Sequence, residues 1–228
     1  MIGDNFQIIK KRIFSACERV NRDPQTVTIA AVVKGKTTEQ IKKAIEEGIV
    51  VVAENKVQEA RIHKAEIEKL KDAKIQWHMI GHLQTNKVAW AVRLFDLIHS
   101  VDSLRLAEAI NKSAEKIGKI QEILLQVKTS DEKTKWGISV GEVEEVAGRC
   151  IKMSHLRLRG LMTIAPDINN PEESRSYFRT LKNILALLNE KQIAPWKLDV
   201  LSMGMSNDFE VAVEEGATIV RIGRALFA

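Results

Sequence analysis

The chain has 228 residues, 45% hydrophobic and 29% charged, with a formal net charge of +5. That length buries a substantial core without staples, and the balance is that of a water-soluble globular chain. The positive charge favours anionic ligands such as phosphates, but with 5% aromatics and no basic block a stacking platform for single-stranded nucleic acid is not supported.

Cys17 and Cys150 lie far apart and form neither a disulfide framework nor a zinc pattern, so both are expected to be small buried hydrophobes. The start, Met1-Ile-Gly-Asp-Asn5, has no basic region leading into an apolar core, and no apolar run is long enough to span a membrane. A cytoplasmic protein is expected.

In chain order, Ile9, Ile13, Cys17 and Val20 recur at helical spacing and predict a helix over Asn5–Val20, ended by Asn21-Arg-Asp-Pro24. Val27 to Lys34 is a continuous apolar run into a lysine, which predicts a strand buried on both faces. Thr37-Thr-Glu-Gln40 has the pattern of a capping box, and its helix should stop at Gly48. Strands are then expected over Ile49–Val52, Ile75–Ile80 and Leu97–Ser100. Helices are expected over Glu54 to about Leu70, Gln84–Arg93 and Ser103–Ile117.

The second half keeps the rhythm. A strand over Ile120–Val127 leads into a polar loop, Lys128–Gly137, and a helix from Gly141 to Cys150. Strands Leu156–Leu161, Trp196–Leu201 and Thr218–Ile222 follow. Between them come a helix over Pro171–Glu190 and a short one capped by Ser206 and stopped at Gly216. Eight strands alternating with helices, plus one helix in front, argue for a parallel sheet closed into a single (β/α)8 barrel spanning residues 1–228.

In such a barrel chemistry gathers where the strands run out. Those points are Lys34, Glu54-Asn55, the stretch His78–Asn86, His99–Asp102, Lys128–Gly137, Met162-Thr163, Ser202–Ser206 and Arg221–Arg224. Lys34 could be a Schiff-base nucleophile, an anion binder or a rim charge; burial among apolar neighbours would favour the neutral amine that a nucleophile needs. The stretch Ser202-Met-Gly-Met-Ser206 brings small residues to a helix start, and Gly223 lies between Arg221 and Arg224. Together they read as a phosphate cradle, or as a turn with an N-cap. A lysine and a phosphate cradle on one rim suit a ligand with both an aldehyde and a phosphate, and pyridoxal phosphate (PLP) is one. The histidines suggest core or rim hydrogen bonding, with a metal site built from them and Asp102 as the alternative.

The motifs Ala31-Val-Val-Lys34, Glu54-Asn-Lys-Val-Gln-Glu59 and Trp77–Lys87 occur in order with Lys135-Trp-Gly137, Arg159-Gly-Leu-Met162, Leu201–Ser206 and Val220-Arg-Ile-Gly223. In these the chain resembles, over its whole length, the pyridoxal phosphate homeostasis protein family. These are PLP-binding barrels of fold type III, similar to the N-terminal barrel of alanine racemase. The resemblance implies that Lys34 holds PLP as a Schiff base. It also implies that Ser202, Gly204 and Ser206, with backbone at Gly223 and Arg224, surround the phosphate. Arg221 would face the pyridine nitrogen, Asn55 would lie by the ring, and His78, Ile80 and Met203 would pack around it. Two positions depart from the family pattern: Arg224 stands where a Ser or Thr is usual, and Ala53 where a Gly is usual.

By the same resemblance the chain is a PLP carrier or regulator in vitamin B6 and amino-acid homeostasis, acting without turnover. Its partners would be PLP and PLP-dependent apoenzymes, with no nucleic acid and no membrane, and it would act as a monomer. The alternative is a PLP-dependent amino-acid racemase of low activity. A two-base racemase needs a second acid/base group opposite the lysine, and the single tyrosine, Tyr177, is expected on an outer helix.

Overall fold

The computed structural model describes residues 1–68, 74–130 and 136–228. Helix α1 (Ile2–Arg19) comes first, followed by β1 (Thr28–Val32), α2 (Thr38–Glu46), β2 (Val51–Glu54), α3 (Val57–Ile67), β3 (Gln76–Met79), α4 (Val88–Leu94) and β4 (Leu97–Val101). Then come α5 (Leu104–Glu115), β5 (Gln121–Lys128), β6 (Ile138–Ser139), α6 (Val143–Ile151) and β7 (Leu156–Met162). The chain finishes with α7 (Arg175–Glu190), β8 (Val200–Met205), α8 (Phe209–Glu214), β9 (Ile219–Ile222) and α9 (Arg224–Phe227).

The strands pair in the order β4-β3-β2-β1-β9-β8-β7-β5, and β4 also pairs with β5, which closes the ring. Every pairing is parallel. This is the expected eight-stranded barrel behind an N-terminal helix; β6 is a two-residue parallel extension on the end of β5. Parallel strands joined by helices must be covered on their outer face, and the side chains follow that demand. Most of the apolar core lies between strands and helices, where Phe178, Leu181, Leu185 and Leu188 of α7 share one buried face. Each such side chain, fully buried, contributes about 1.5–3 kcal/mol. A second, smaller cluster fills the barrel: Ala30, Val51, Ala53, Ile80, Leu97, Leu124, Met162 and Ile219.

The local signals mostly place the elements. Thr37 and Gln40 form the capping box of α2, and Ser103 caps α5. Both cysteines are buried and free. Several expectations shift, among them these three. The strand expected at Trp196–Leu201 runs instead over Val200–Met205, because the residues before it are held elsewhere. Trp196 Nε1 donates to the Leu158 carbonyl, and the Asn189 side chain takes both backbone groups of Leu198. The helix expected from Ser206 begins at Phe209 with Asp208 as its N-cap residue. Ser206 Oγ accepts the Ala225 amide instead. Glu54, expected to open a helix, ends β2. The end of that expected helix at Leu70, part of the Lys128–Gly137 loop, and Lys135 lie outside the described residues.

Candidate functional site

Side chains alternate across a strand, so the barrel interior can be counted off in steps of two. On β1 the inward series is Ala30, Val32 and then Lys34, just past the strand. On β2 it is Val51, Ala53 and then Asn55. On β9 it is Ile219, Arg221 and then Gly223. These series converge at the carboxyl mouth of the barrel on a cavity of about 350 Å³. Lys34, Asn55, Ile80, Ser206, Arg221, Gly223 and Arg224 line it, with Ile164, Pro166 and Asp208 on the side of the β7–α7 connection. A hollow of about 400 Å³ at the opposite end, by Phe6, Phe14 and Val50, is mostly apolar and has Lys10 as its one charged lining residue. Convergent polar groups, not size, mark the carboxyl-end cavity as the site.

Each wall has its own mechanical support. The turn carrying Lys34 follows β1, and the Gly35 amide of that turn helps to keep the Glu59 carboxyl of α3 ionised. The Lys56 ammonium beside it, 2.8 Å away, holds the Glu59 carboxyl below its usual range. Asn55 sits against Gly81 so tightly that a Cβ there would come within 2.2 Å of the Asn55 carbonyl oxygen. Its Oδ1 is buried and has no hydrogen-bond partner. Behind it Glu54 is fully buried on the outer face of β2, 2.7 Å from His63 Nδ1 of α3; burial raises its pKa. At the opposite wall Asp208 is occupied on both oxygens, accepting from the Met205 amide and the Ser174 hydroxyl.

The cavity floor is a buried polar chain. Arg221 donates from Nη1 to Ser202 Oγ and from Nη2 to the Thr163 carbonyl, each at 2.8 Å. Ser202 Oγ lies 2.9 Å from His99 Nδ1, and His99 Nε2 lies 3.0 Å from His78 Nδ1. Burial lowers the pKa of His78 to about 4, puts His99 well below the ordinary histidine value and brings Arg221 down to about 10. At neutral pH the floor therefore holds two neutral imidazoles and one cation.

Several expected residues sit differently from the expectation. Lys34 is exposed, not buried among apolar neighbours, because β1 stops at Val32 and the lysine falls on the turn. Met203 packs in the layer between barrel and helices, since alternation turns it away from Ser202, and Gly204 faces Phe209 and Ala212 of α8. Ser202 and His78 lie beneath Arg221 in the floor chain, outside the cavity lining. Among the described residues no group of three His, Cys, Asp or Glu could hold a metal ion. His99, for which core or rim hydrogen bonding is expected, takes the core alternative, two residues on from the inward Leu97. Asp208 and the 164–168 stretch carry no comparable local signal.

Residues 8–228 match the model of the alanine racemase N-terminal domain. A pyridoxal phosphate homeostasis protein of Aquifex aeolicus is 41% identical over 220 residues, covering 96% of this chain and 94% of that one. The chain belongs to the pyridoxal phosphate homeostasis protein family. The Escherichia coli member is 36% identical, covering 99% of this chain and 95% of its own. PipY of Synechococcus elongatus, a member of the family whose structure was solved with PLP bound, superposes with a TM-score of 0.86 at 32% identity over the full length of both chains. An alanine racemase of Clostridium difficile shares the fold, with a TM-score of 0.73 at 17% identity over 98% of this chain and 56% of its own.

Proposed function

We propose that this protein binds PLP, held covalently on Lys34, and acts in PLP and amino-acid homeostasis as a carrier or regulator without turnover. The observation that carries the reading is that three chemistries meet in one cavity: the Lys34 amine, the buried Arg221 guanidinium, and the Ser206, Gly223 and Arg224 group. PLP supplies an aldehyde for covalent attachment and, on enzymes, a ring that draws electrons from the bound substrate.

The residues present fit that group. The unpartnered Asn55 Oδ1 on the cavity wall awaits a donor. At Gly223 the backbone approaches β1 so closely that a Cβ would press on Val32 at 3.3 Å, which leaves the amides of this turn open to a phosphate. Ser206, tied to Ala225, joins the two cradle segments, and Arg224 adds an exposed cation beside them. Arg221 is a permanent donor to a pyridine nitrogen, and His78, Ile80 and Ser202 support the floor on which the ring would rest. Met203 and Gly204 contribute backbone only. An arginine at the ring nitrogen keeps that nitrogen unprotonated and weakens the ring as an electron sink, which suits holding more than turnover. Tyr177 lies on α7, packed against the outer core. Residues 1–228 would act as one cytoplasmic, monomeric unit that passes PLP to dependent apoenzymes.

The test is the visible spectrum of the protein loaded with PLP, before and after borohydride, beside Lys34→Ala. A band fixed by borohydride on the Lys34 peptide and absent from the variant supports the reading; the same band in the variant overturns it. Incubating the loaded protein with L-alanine in deuterated water separates carrier from racemase. Deuterium at the α-carbon with loss of chirality would establish the racemase.

A further inference from the structure

We propose that Ser202 and His99 are positioning residues that fix the orientation of Arg221, so that the cavity floor accepts a ring with an unprotonated nitrogen and rejects one whose nitrogen is blocked. The selection rests on the PLP reading above; the hydrogen-bond polarity does not.

The argument is one of proton accounting. A guanidinium has five donors and no acceptor. Arg221 spends one on Ser202 Oγ and one on the Thr163 carbonyl. The Ser202 hydroxyl hydrogen therefore cannot point to Arg221. Its remaining neighbour is His99 Nδ1 at 2.9 Å, so that nitrogen must accept. The His99 proton is then on Nε2, which donates to His78 Nδ1 at 3.0 Å, and the His78 proton is on Nε2 in turn. Every bond of the chain runs one way: Arg221 to Ser202, Ser202 to His99, His99 to His78. The reverse tautomer of His99 would leave the serine hydrogen without an acceptor in a fully buried place. Neutral imidazoles are required throughout, and burial keeps both histidines neutral, with His78 and Arg221 each further disfavouring a proton on His99.

The chain has a consequence at the cavity. No carboxylate accepts from Arg221 among the described residues; Asp208, the acidic group that influences it, is taken up by Met205 and Ser174. The floor chain thus presents a positive charge and spare donors, while the open acceptor Asn55 Oδ1 lies on the wall and not in the chain. A pyridine lone pair is matched there. A pyridinium N–H or an N-alkyl group meets donors and like charge, and is excluded. The serine hydroxyl is what holds this arrangement, because it is the one group that accepts from Arg221 and donates to His99.

Two measurements test it. In the cofactor-free protein labelled with 15N-histidine, long-range proton–nitrogen spectra should show His99 and His78 as neutral Nε2–H tautomers at pH 7. A proton on His99 Nδ1 overturns the proposal, and this result stands whether or not PLP binds. In the loaded protein, wild type should retain PLP at least tenfold better than N-methylpyridoxal phosphate. Ser202→Ala should narrow that ratio severalfold, and Ser202→Thr should restore it. An unchanged ratio in Ser202→Ala overturns the positioning role. If wild type forms no Lys34-dependent band, the PLP reading and the ring selection fail together, and the tautomer spectra still decide the hydrogen-bond polarity. Should Ser202→Ala not fold, the wild-type spectra and the wild-type ratio decide.

Discussion

Acidification from pH 7 to pH 5 should destabilise this fold by about 2 kcal/mol through His78 alone. The pKa of His78 falls from 6.5 in the free side chain to about 4 in the folded protein, chiefly because burial penalises the charged ring. The sign follows from which state binds protons. Between pH 6.5 and pH 4 the unfolded chain takes up a proton that the native chain refuses, so stability is present above 6.5 and is lost as the pH falls toward 4. Applying the binding polynomials of the two states between pH 7 and pH 5 leaves about 2 kcal/mol, and His99 is shifted in the same direction. Glu59, Glu172 and Glu215, held ionised by Lys56, Arg175 and Arg179, lose their contribution below the usual carboxylate range, so they leave this window clear. Urea unfolding followed by circular dichroism at both pH values is the assay. For a chain of this size the effect equals a lowering of Tm by about 4–8 °C. His78→Gln, which has nothing to titrate, should lose about that much of the pH dependence. A His78→Gln variant that loses as much stability between pH 7 and pH 5 as wild type would refute the assignment of a buried, neutral imidazole pair to the floor.

Two further outcomes concern the cavity walls. Gly81→Ala places a methyl group within 2.2 Å of the Asn55 carbonyl oxygen and 2.8 Å of its Cα, both backbone atoms, so Asn55 must move; thermal denaturation should show a loss of about 1–3 kcal/mol, and dialysis faster loss of bound PLP. Arg224→Ser removes an exposed cation from the cavity lining beside the proposed phosphate site. PLP retention in that variant should depend less steeply on added salt than in wild type, because an exposed charge pair is screened; parallel salt curves would place Arg224 outside the phosphate's reach.

The fold was legible because its signals are local and repeated. Apolar runs alternate with helical periodicity eight times, and the capping residues Thr37 and Ser103 mark helix starts where the structure has them. Much of the cavity was legible too, since Lys34, Asn55, Arg221 and Gly223 follow from the ends of strands. What could not be read were choices made by tertiary partners. Trp196 to Leu198 read as strand, but α7 and β7 claim their polar groups first. Ser206 reads as an N-cap, but the Ala225 amide, nineteen residues on, is its donor. Lys34 reads as the end of a buried run, yet its exposure is set by where β1 stops pairing. His99 needed the barrel to be closed before its neighbours, Ser202 from β8 and His78 from β3, could be known.

The floor also depends on a backbone irregularity that motif reading passes over. Ser202 pairs with Ile219, but Met205 pairs with Arg221, so β8 spends three residues where β9 spends two. The extra residue is a bulge, and Gly204 within it has φ of +88°. Without that bulge, a regular strand with Ser202 inward would carry a further inward side chain at 204, and Met205 would face the helices. The bulge instead turns 204 toward α8 and delivers Met205, Ser206 and Asp208 to the mouth of the cavity. Only a glycine fits: a Cβ there would lie 2.5 Å from the Ala212 Cβ and 3.0 Å from the Phe209 Cα. Gly204→Ala should therefore add about 1 kcal/mol of left-handed strain to about 1–3 kcal/mol of overpacking against α8. Because the bulge begins next to Ser202, the same variant should also disturb the His99 tautomer signal. A variant that lost stability yet kept that signal unchanged would show that Ser202 is held by its hydrogen bonds alone, and that the bulge serves the rim without serving the floor.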